Sequence, residues 1–152
     1  MKTLIVGLGN IGTIYGWALS EAGVDVTHVV RAGKAHLYDE GIKLDVLDLR
    51  DGHPYSPQTI YRPKTTEELS GADGYELVIV PTKGYQLADA VRQYRDLTGE
   101  ATFLLFGANW EGPQEIDELL PRSRYLWGLA AARGNTPPTP PGRGFETGEM
   151  FQ

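Results

Sequence analysis

The sequence predicts a doubly wound α/β fold, a single domain around a mainly parallel sheet. Three features carry that expectation. The apolar run Leu4-Ile5-Val6 passes directly into Gly7-Leu8-Gly9-Asn10-Ile11-Gly12, a G-x-G-x-x-G turn placed where a strand ends and a helix begins. Behind it, Ile14, Tyr15, Ala18, Leu19 and Ala22 recur at helical spacing. Residues 24–30 then alternate and carry four valines, as a strand buried in a parallel sheet does. With 19 glycines among 152 residues the six-residue pattern has little weight alone. Its flanks supply the weight, completing a Rossmann-type βαβ unit within about 30 residues.

In chain order, the first helix runs from Thr13 to Gly23, where glycine suits a helix stop, and Gly16 inside it allows close packing. The second strand ends at Arg31. A polar, helix-capable stretch leads to Gly41, and residues 42–49 mix apolar and charged side chains in a way that supports a strand only in part. Three prolines mark residues 50–63 as a loop with one short strand at 59–61. Residues 65–69 read as a helical turn. A compact strand follows over 76–80, between the turn residues Asp73-Gly74 and Pro81. The next helix spans 82–97, with Leu87, Ala90, Val91 and Tyr94 on one face and Gly99 beyond it. Residues 102–106 form another buried strand, and 107–112 a loop. Pro113 suits the first position of a helix over 114–120, and 125–131 is the last strand. The proline-rich residues 136–142 read as an extended linker. The domain thus occupies residues 1–135, with linker and tail over 136–152. No internal repeat is present.

Composition narrows the function. A chain of 152 residues buries one core, and a second large domain does not fit. Its net charge of −6 lacks the electrostatic footprint of a nucleic-acid or anionic-membrane binder. Without cysteine there is no disulfide framework, thiolate catalysis or cysteine metal site. His28, His36 and His53 lack ligand spacing, so no metal is expected. The apolar run after Lys2 is too short for a signal peptide, and no stretch approaches the roughly 18 apolar residues of a membrane helix. The expected location is the cytoplasm.

In a doubly wound sheet the C-terminal ends of the strands face the ligand crevice. Gly7 permits the tight turn, Gly9 lets bare backbone approach a pyrophosphate, and Gly12 lets the helix pack closely. Leu8, Asn10 and Ile11 complete this cofactor-binding turn, and the phosphates meet N–H groups at the positive end of the helix dipole. Arg31 stands 19 residues after Gly12, where an acid would bond the ribose 2′-hydroxyl of NAD and an arginine accepts a 2′-phosphate. No Asp or Glu occurs between Asp25 and Asp39, and Lys34 adds charge to the same loop. The reading is NADP(H); the plainer one makes Arg31 and Lys34 ordinary solvated cations. Lys83, directly after a strand, can reach a nicotinamide, a ribose hydroxyl or a substrate oxygen. Cations are disfavoured at a helix N-terminus, which argues for function over a simple surface lysine. Gln86, one turn further, and Asn109, whose amide both donates and accepts, complete the cofactor-binding set, although Asn109 is also a good turn former. Trp110 either covers the nicotinamide end or packs.

Together these positions resemble the N-terminal domain of the ketopantoate reductase family, the NADPH-dependent 2-dehydropantoate 2-reductases. The pieces that carry the resemblance are the glycine turn, Val29-Val30-Arg31, the segment Val80-Pro81-Thr82-Lys83-Gly84-Tyr85-Gln86, and the loop with Asn109 and Gly112. It extends to about residue 130. The resemblance implies that Gly7, Gly9 and Gly12 cradle the pyrophosphate and that Arg31 holds the 2′-phosphate. Lys83 and Asn109 then lie at the nicotinamide and substrate end, with Lys83 as the catalytic residue. The implied reaction is reduction of a 2-oxo acid to a 2-hydroxy acid, the chemistry of pantothenate biosynthesis. Two departures stand out: Asn109 is followed by Trp110-Glu111 where the family usually has glycine, and Pro81 replaces a small residue. The family also has a helical C-terminal domain that supplies a general-acid lysine and contacts to the substrate carboxylate. This chain is expected to lack it, to hold and orient the cofactor, and to be incomplete for catalysis alone. The expected partner is a small 2-oxo acid once a second domain completes the pocket, with homo-oligomerisation open. The alternatives are a non-enzymatic NADP(H)-binding or sensor module and a scaffold without ligand.

Overall fold

Strands β1 (Lys2–Val6) and β2 (Asp25–Val29) lie parallel and are joined by helix α1 (Asn10–Glu21). The computed structural model in which they are seen describes residues 1–47, 58–107, 112–132, 134 and 148–149. After β2 the chain makes a short hairpin of β3 (Ile42–Asp45) and β4 (Gln58–Tyr61), then returns to the main sheet as β5 (Thr65–Thr66) beside β2. It next crosses to the other side of β1 as β6 (Leu77–Val80) and continues outward through β7 (Thr102–Phe106) and β8 (Tyr125–Gly128). The result is a six-stranded parallel sheet in the order β5-β2-β1-β6-β7-β8. The winding reverses between β1 and β6, and a sheet of this kind binds ligands outside the C-terminal strand ends at that reversal. The two-residue β9 (Gly148–Glu149) adds a parallel strand to β3.

Alternation along the strands divides the core. Leu4, Val78, Val80, Phe103 and Leu105 pack with Leu87 and Val91 of α2 (Leu87–Tyr94) and Ile116 of α3 (Gln114–Asp117). Ile5, Val26, Ile79 and Phe106 sit with Ile11, Tyr15 and Leu19 of α1. Trp17 ties α1 to Leu44 and Tyr61 of the hairpin. The doubly wound parallel sheet expected from the sequence is present.

Individual elements differ from expectation where hydrogen bonding outside the element decides. The first helix starts at Asn10, not Thr13, because extended Gly9 is its N-cap and the Gly9 carbonyl accepts the Thr13 N–H at 2.8 Å. Residues 65–69 are not a helical turn. The exposed edge of β2 needs acceptors, and the His28 N–H finds Lys64 O at 2.8 Å while the Val30 N–H finds Thr66 O at 2.9 Å, which draws Thr65–Thr66 into a strand. Lys83 is extended before a 3-10 turn (Gly84–Gln86), and a second (Arg95–Leu97) follows α2, so the regular helix is shorter than 82–97. Pro113 is the N-cap of α3 and not its first helical residue; its carbonyl accepts from both Ile116 and Asp117. The strand expected over 42–49 ends at Asp45, and the last strand ends at Gly128. The strands at 59–61 and 102–106 are as expected, and Gly23 and Gly99 follow their helices with φ of 79° and 57°. The proline-rich stretch 136–142 and the loop centre 108–111 lie outside the described residues. Among the described residues no helix is long and apolar enough to cross a membrane, and no His, Cys, Asp and Glu group is placed to hold a metal.

Candidate functional site

The glycine turn leaves β1 with Gly7 in the left-handed region (φ 85°), its N–H donated to Val29 O at 2.9 Å. The three motif glycines are required for different reasons. A Cβ at Gly12 would stand 2.9 Å from Gly7 O and 3.3 Å from Pro81 Cγ, so α1 can seat against the sheet and the end of β6 only without a side chain there. A Cβ at Gly9 would meet nothing within 4 Å among the described residues. Packing does not demand glycine at that position, and its bare, exposed backbone leaves room for approach from outside. Among the described residues no side chain caps the first turn of α1, and no acidic residue stands in that turn, so the positive end of its dipole is not neutralised by them. A diphosphate fits that donor set. The Asn10 side chain is turned away to the chain beyond β8, where its amide donates to Gly134 O at 2.8 Å.

Arg31 and Lys34 project from an exposed turn just beyond β2, closed by the Lys34 N–H donating to Arg31 O at 3.0 Å. Glu67, the residue directly after β5, fastens this turn. Its carboxylate accepts the Ala35 N–H at 2.8 Å and the Gly33 N–H at 2.9 Å, and these two bonds hold its pKa below the usual carboxylate range. Arg31 lies within electrostatic reach of Tyr94, whose hydroxyl pKa burial raises and the guanidinium pulls back.

Lys83 is exposed and extended (φ −66°, ψ 150°), immediately beyond β6 on the other side of the reversal. Gln86 is exposed at the start of α2. Pro81 brings this segment to the glycine turn through its contact with Gly12. Gly107, at the end of β7, brings it to the loop of Asn109: a Cβ there would fall 3.3 Å from Gly84 Cα and 2.8 Å from Leu87 Cδ1. Trp127 holds the same point by donating its indole N–H to Gly107 O at 2.7 Å. Asn109 and Trp110 themselves lie outside the described residues. The glycine turn, Lys83 and the start of the Asn109 loop thus gather at strand ends around the β1/β6 reversal, with the Arg31 turn one strand away. The buried Thr82 Oγ1 in this region has no hydrogen-bond partner among the described residues.

Sequence reasoning missed His28. It is wholly buried on β2, its Nδ1 2.9 Å from Gly7 O and its Nε2 2.9 Å from the Tyr61 hydroxyl. A carbonyl only accepts, so Nδ1 carries the proton and Nε2 accepts from the Tyr61 O–H. Burial lowers the imidazole pKa to about 4, against the opposing effect of the Gly7 carbonyl. Gly16 makes room for the ring: a Cβ there would collide with Nε2 and with the Tyr61 hydroxyl. The signal was a polar residue inside a valine-rich buried strand, since buried polar groups require partners. Glu67 gave no comparable signal, because its partners are backbone groups more than 30 residues away.

Residues 3–137 match the family described as ketopantoate reductase PanE/ApbA. The uncharacterised oxidoreductase YkpB of Bacillus subtilis strain 168 is 26% identical over 132 residues, which are 85% of this chain and 40% of that protein. Among solved structures, 2-dehydropantoate 2-reductase from Methylococcus capsulatus has a TM-score of 0.71 at 22% identity, over 100% of this chain and 46% of its own. A D-mandelate dehydrogenase solved as a ternary structure with NADH and anilino(oxo)acetate has a TM-score of 0.68 at 18% identity, again over 100% of this chain and 46% of its own. At these identities the structural likenesses establish the fold. The chain spans less than half the length of these relatives.

Proposed function

The chain belongs to the ketopantoate reductase family, and from that premise we propose that it is the NADP(H)-binding part of an oxidoreductase that reduces a 2-oxo acid to a 2-hydroxy acid. The observation that carries the reading is the junction of β1, α1 and β2. An uncapped helix N-terminus and the open backbone of Gly9 lie one strand from a turn that presents Arg31 and Lys34 to solvent. The likeness to a dehydrogenase solved with NADH supports a nicotinamide dinucleotide as ligand; the choice of the phosphorylated form rests on the two cations.

Bound cofactor supplies the hydride. The Gly7–Gly12 turn holds the pyrophosphate on backbone N–H groups, and Arg31, aided by Lys34, takes the 2′-phosphate in charge-assisted hydrogen bonds. Lys83, Gln86 and Asn109 would orient the nicotinamide end, and the Lys83 ammonium would stabilise the oxygen on which negative charge develops. In this reading the chain's share of the reaction is to hold and aim the cofactor.

Calorimetric titration tests the assignment. NADPH should bind more tightly than NADH, and Arg31→Ala should remove the difference, because losing a charge-assisted contact weakens binding by roughly ten- to a hundredfold. Equal affinities in the unmutated protein would discard the NADP(H) assignment, and no binding of either would discard the cofactor reading.

A further inference from the structure

We propose that His28 is a positioning residue for the pyrophosphate turn: it holds the Gly7 carbonyl inward, so that the Leu8 N–H points outward to the phosphates. The inference rests on reading that turn as a pyrophosphate site. The peptide between Gly7 and Leu8 is planar and trans, so its C=O and N–H point in opposite directions. His28 Nδ1–H binds the carbonyl from the buried side at 2.9 Å, and the Leu8 N–H is therefore aimed away from the core. Gly12 closes on the same carbonyl, with space at 2.9 Å for no more than a hydrogen in place of Cβ. An aliphatic side chain at position 28 would leave a buried carbonyl without a donor and favour turning the peptide over, which would present an oxygen to the anion.

Four parts of the chain converge on this ring. β2 carries it, the β1–α1 turn supplies the acceptor that sets its tautomer, Gly16 of α1 leaves its space, and the Tyr61 hydroxyl of β4 holds Nε2 at 2.9 Å. Tyr61 also sits in the cluster of Trp17 and Leu44, so the β3–β4 hairpin is linked through one imidazole to the turn.

The test uses the full chain and two ligands, NADPH and adenosine 2′-monophosphate, which lacks the pyrophosphate. His28→Leu should weaken NADPH by about ten- to a hundredfold, the loss expected for a hydrogen bond to a charged group, and leave the nucleotide fragment within about twofold. His28→Asn, whose amide nitrogen stands where Nδ1 does, should recover most of the loss. Nitrogen-15 spectra should show the neutral Nδ1–H tautomer with or without cofactor. Tyr61→Phe keeps the ring packing and removes only the hydroxyl, so it should cause a smaller loss confined to NADPH and serves if His28→Leu does not fold. The inference is overturned by an Nε2–H tautomer, by equal weakening of both ligands, by unchanged NADPH affinity, or by no recovery in His28→Asn. If the unmutated chain binds no NADPH the functional reading fails with it, whereas NADPH binding that ignores His28 removes this inference alone.

Discussion

At the end of β1 the chain turns on groups withdrawn from water. Gly7 O faces His28, and Gly12 faces both that oxygen and Pro81. At the end of β2 the next turn carries the cations Arg31 and Lys34 in solvent and is fastened by the exposed carboxylate of Glu67. One region is shaped by packing and buried hydrogen bonds, which leave no space for a methyl group at Gly12 and are indifferent to salt. The other is shaped by charges that salt screens over about 10 Å at 0.1 M. The difference matches what each end would recognise. A pyrophosphate needs a fixed array of N–H donors, whereas a single phosphate monoester needs positive charge that can adjust to it.

Acid should break the contrast most strongly, by attacking the buried end. The folded-state pKa of His28 is lowered to about 4 from 6.5, so the unfolded chain binds more protons between those values. The contribution of the neutral ring is complete above pH 6.5, declines as the pH falls and is lost below about 4; a shift of this size is worth about 3 kcal/mol. Denaturant unfolding at several pH values should show that slope, and His28→Asn should remove it. A flat profile from 6.5 to 4 would mean that the ring is not held neutral.

Crowding the same region comes next. Gly12→Ala puts a Cβ against the Gly7 carbonyl at 2.9 Å, and because the obstacle is backbone the turn must shift. Overpacking of this kind costs about 1–3 kcal/mol, and the lowered melting temperature should come with weaker NADPH binding. Gly9→Ala, which meets no atom of the described residues within 4 Å, should leave the melting temperature nearly unchanged and weaken only the cofactor. Equal thermal losses in the two variants would erase the distinction between the glycines.

At the exposed end, raising salt should narrow the proposed preference for NADPH over NADH, because a 2′-phosphate held by Arg31 would be screened while a pyrophosphate held by backbone would be shared by both ligands. A preference that stays constant from 0.05 to 0.5 M salt would place the 2′-phosphate against buried donors instead.

The smallest expected effect is at Glu67. Replacing it by Ala frees the Gly33 and Ala35 N–H groups, and amide exchange at those two positions should speed up by roughly tenfold, the factor associated with one net hydrogen bond. The Gly7 amide, bonded to Val29 O, should exchange as before. Unchanged exchange at Gly33 and Ala35 would show that the turn holds itself without the carboxylate.

Local pattern was enough where chemistry and neighbours in sequence coincide. The β1–turn–α1–β2 unit follows from glycine spacing and apolar period, and 102–106 from an uninterrupted apolar run. The helical turn expected at 65–69 failed because threonine is equivocal locally, and the deciding partners were the N–H groups of His28 and Val30 on a strand more than 30 residues earlier. Lys83 was correctly expected beside a strand end, but its extended conformation before α2 was not.

The sequence by itself determined the doubly wound sheet, the family, and the positions of the glycine turn, Arg31 and Lys83, because each depends on residue types a few positions apart. Tertiary structure alone decided what holds those positions. Glu67 reaches the Arg31 turn, and His28, Gly16 and Tyr61 come together behind Gly7, only after the parallel strands are paired. Those partners are selected by proximity in space and by the requirement that buried polar groups be satisfied, and neither leaves a periodic trace along the chain.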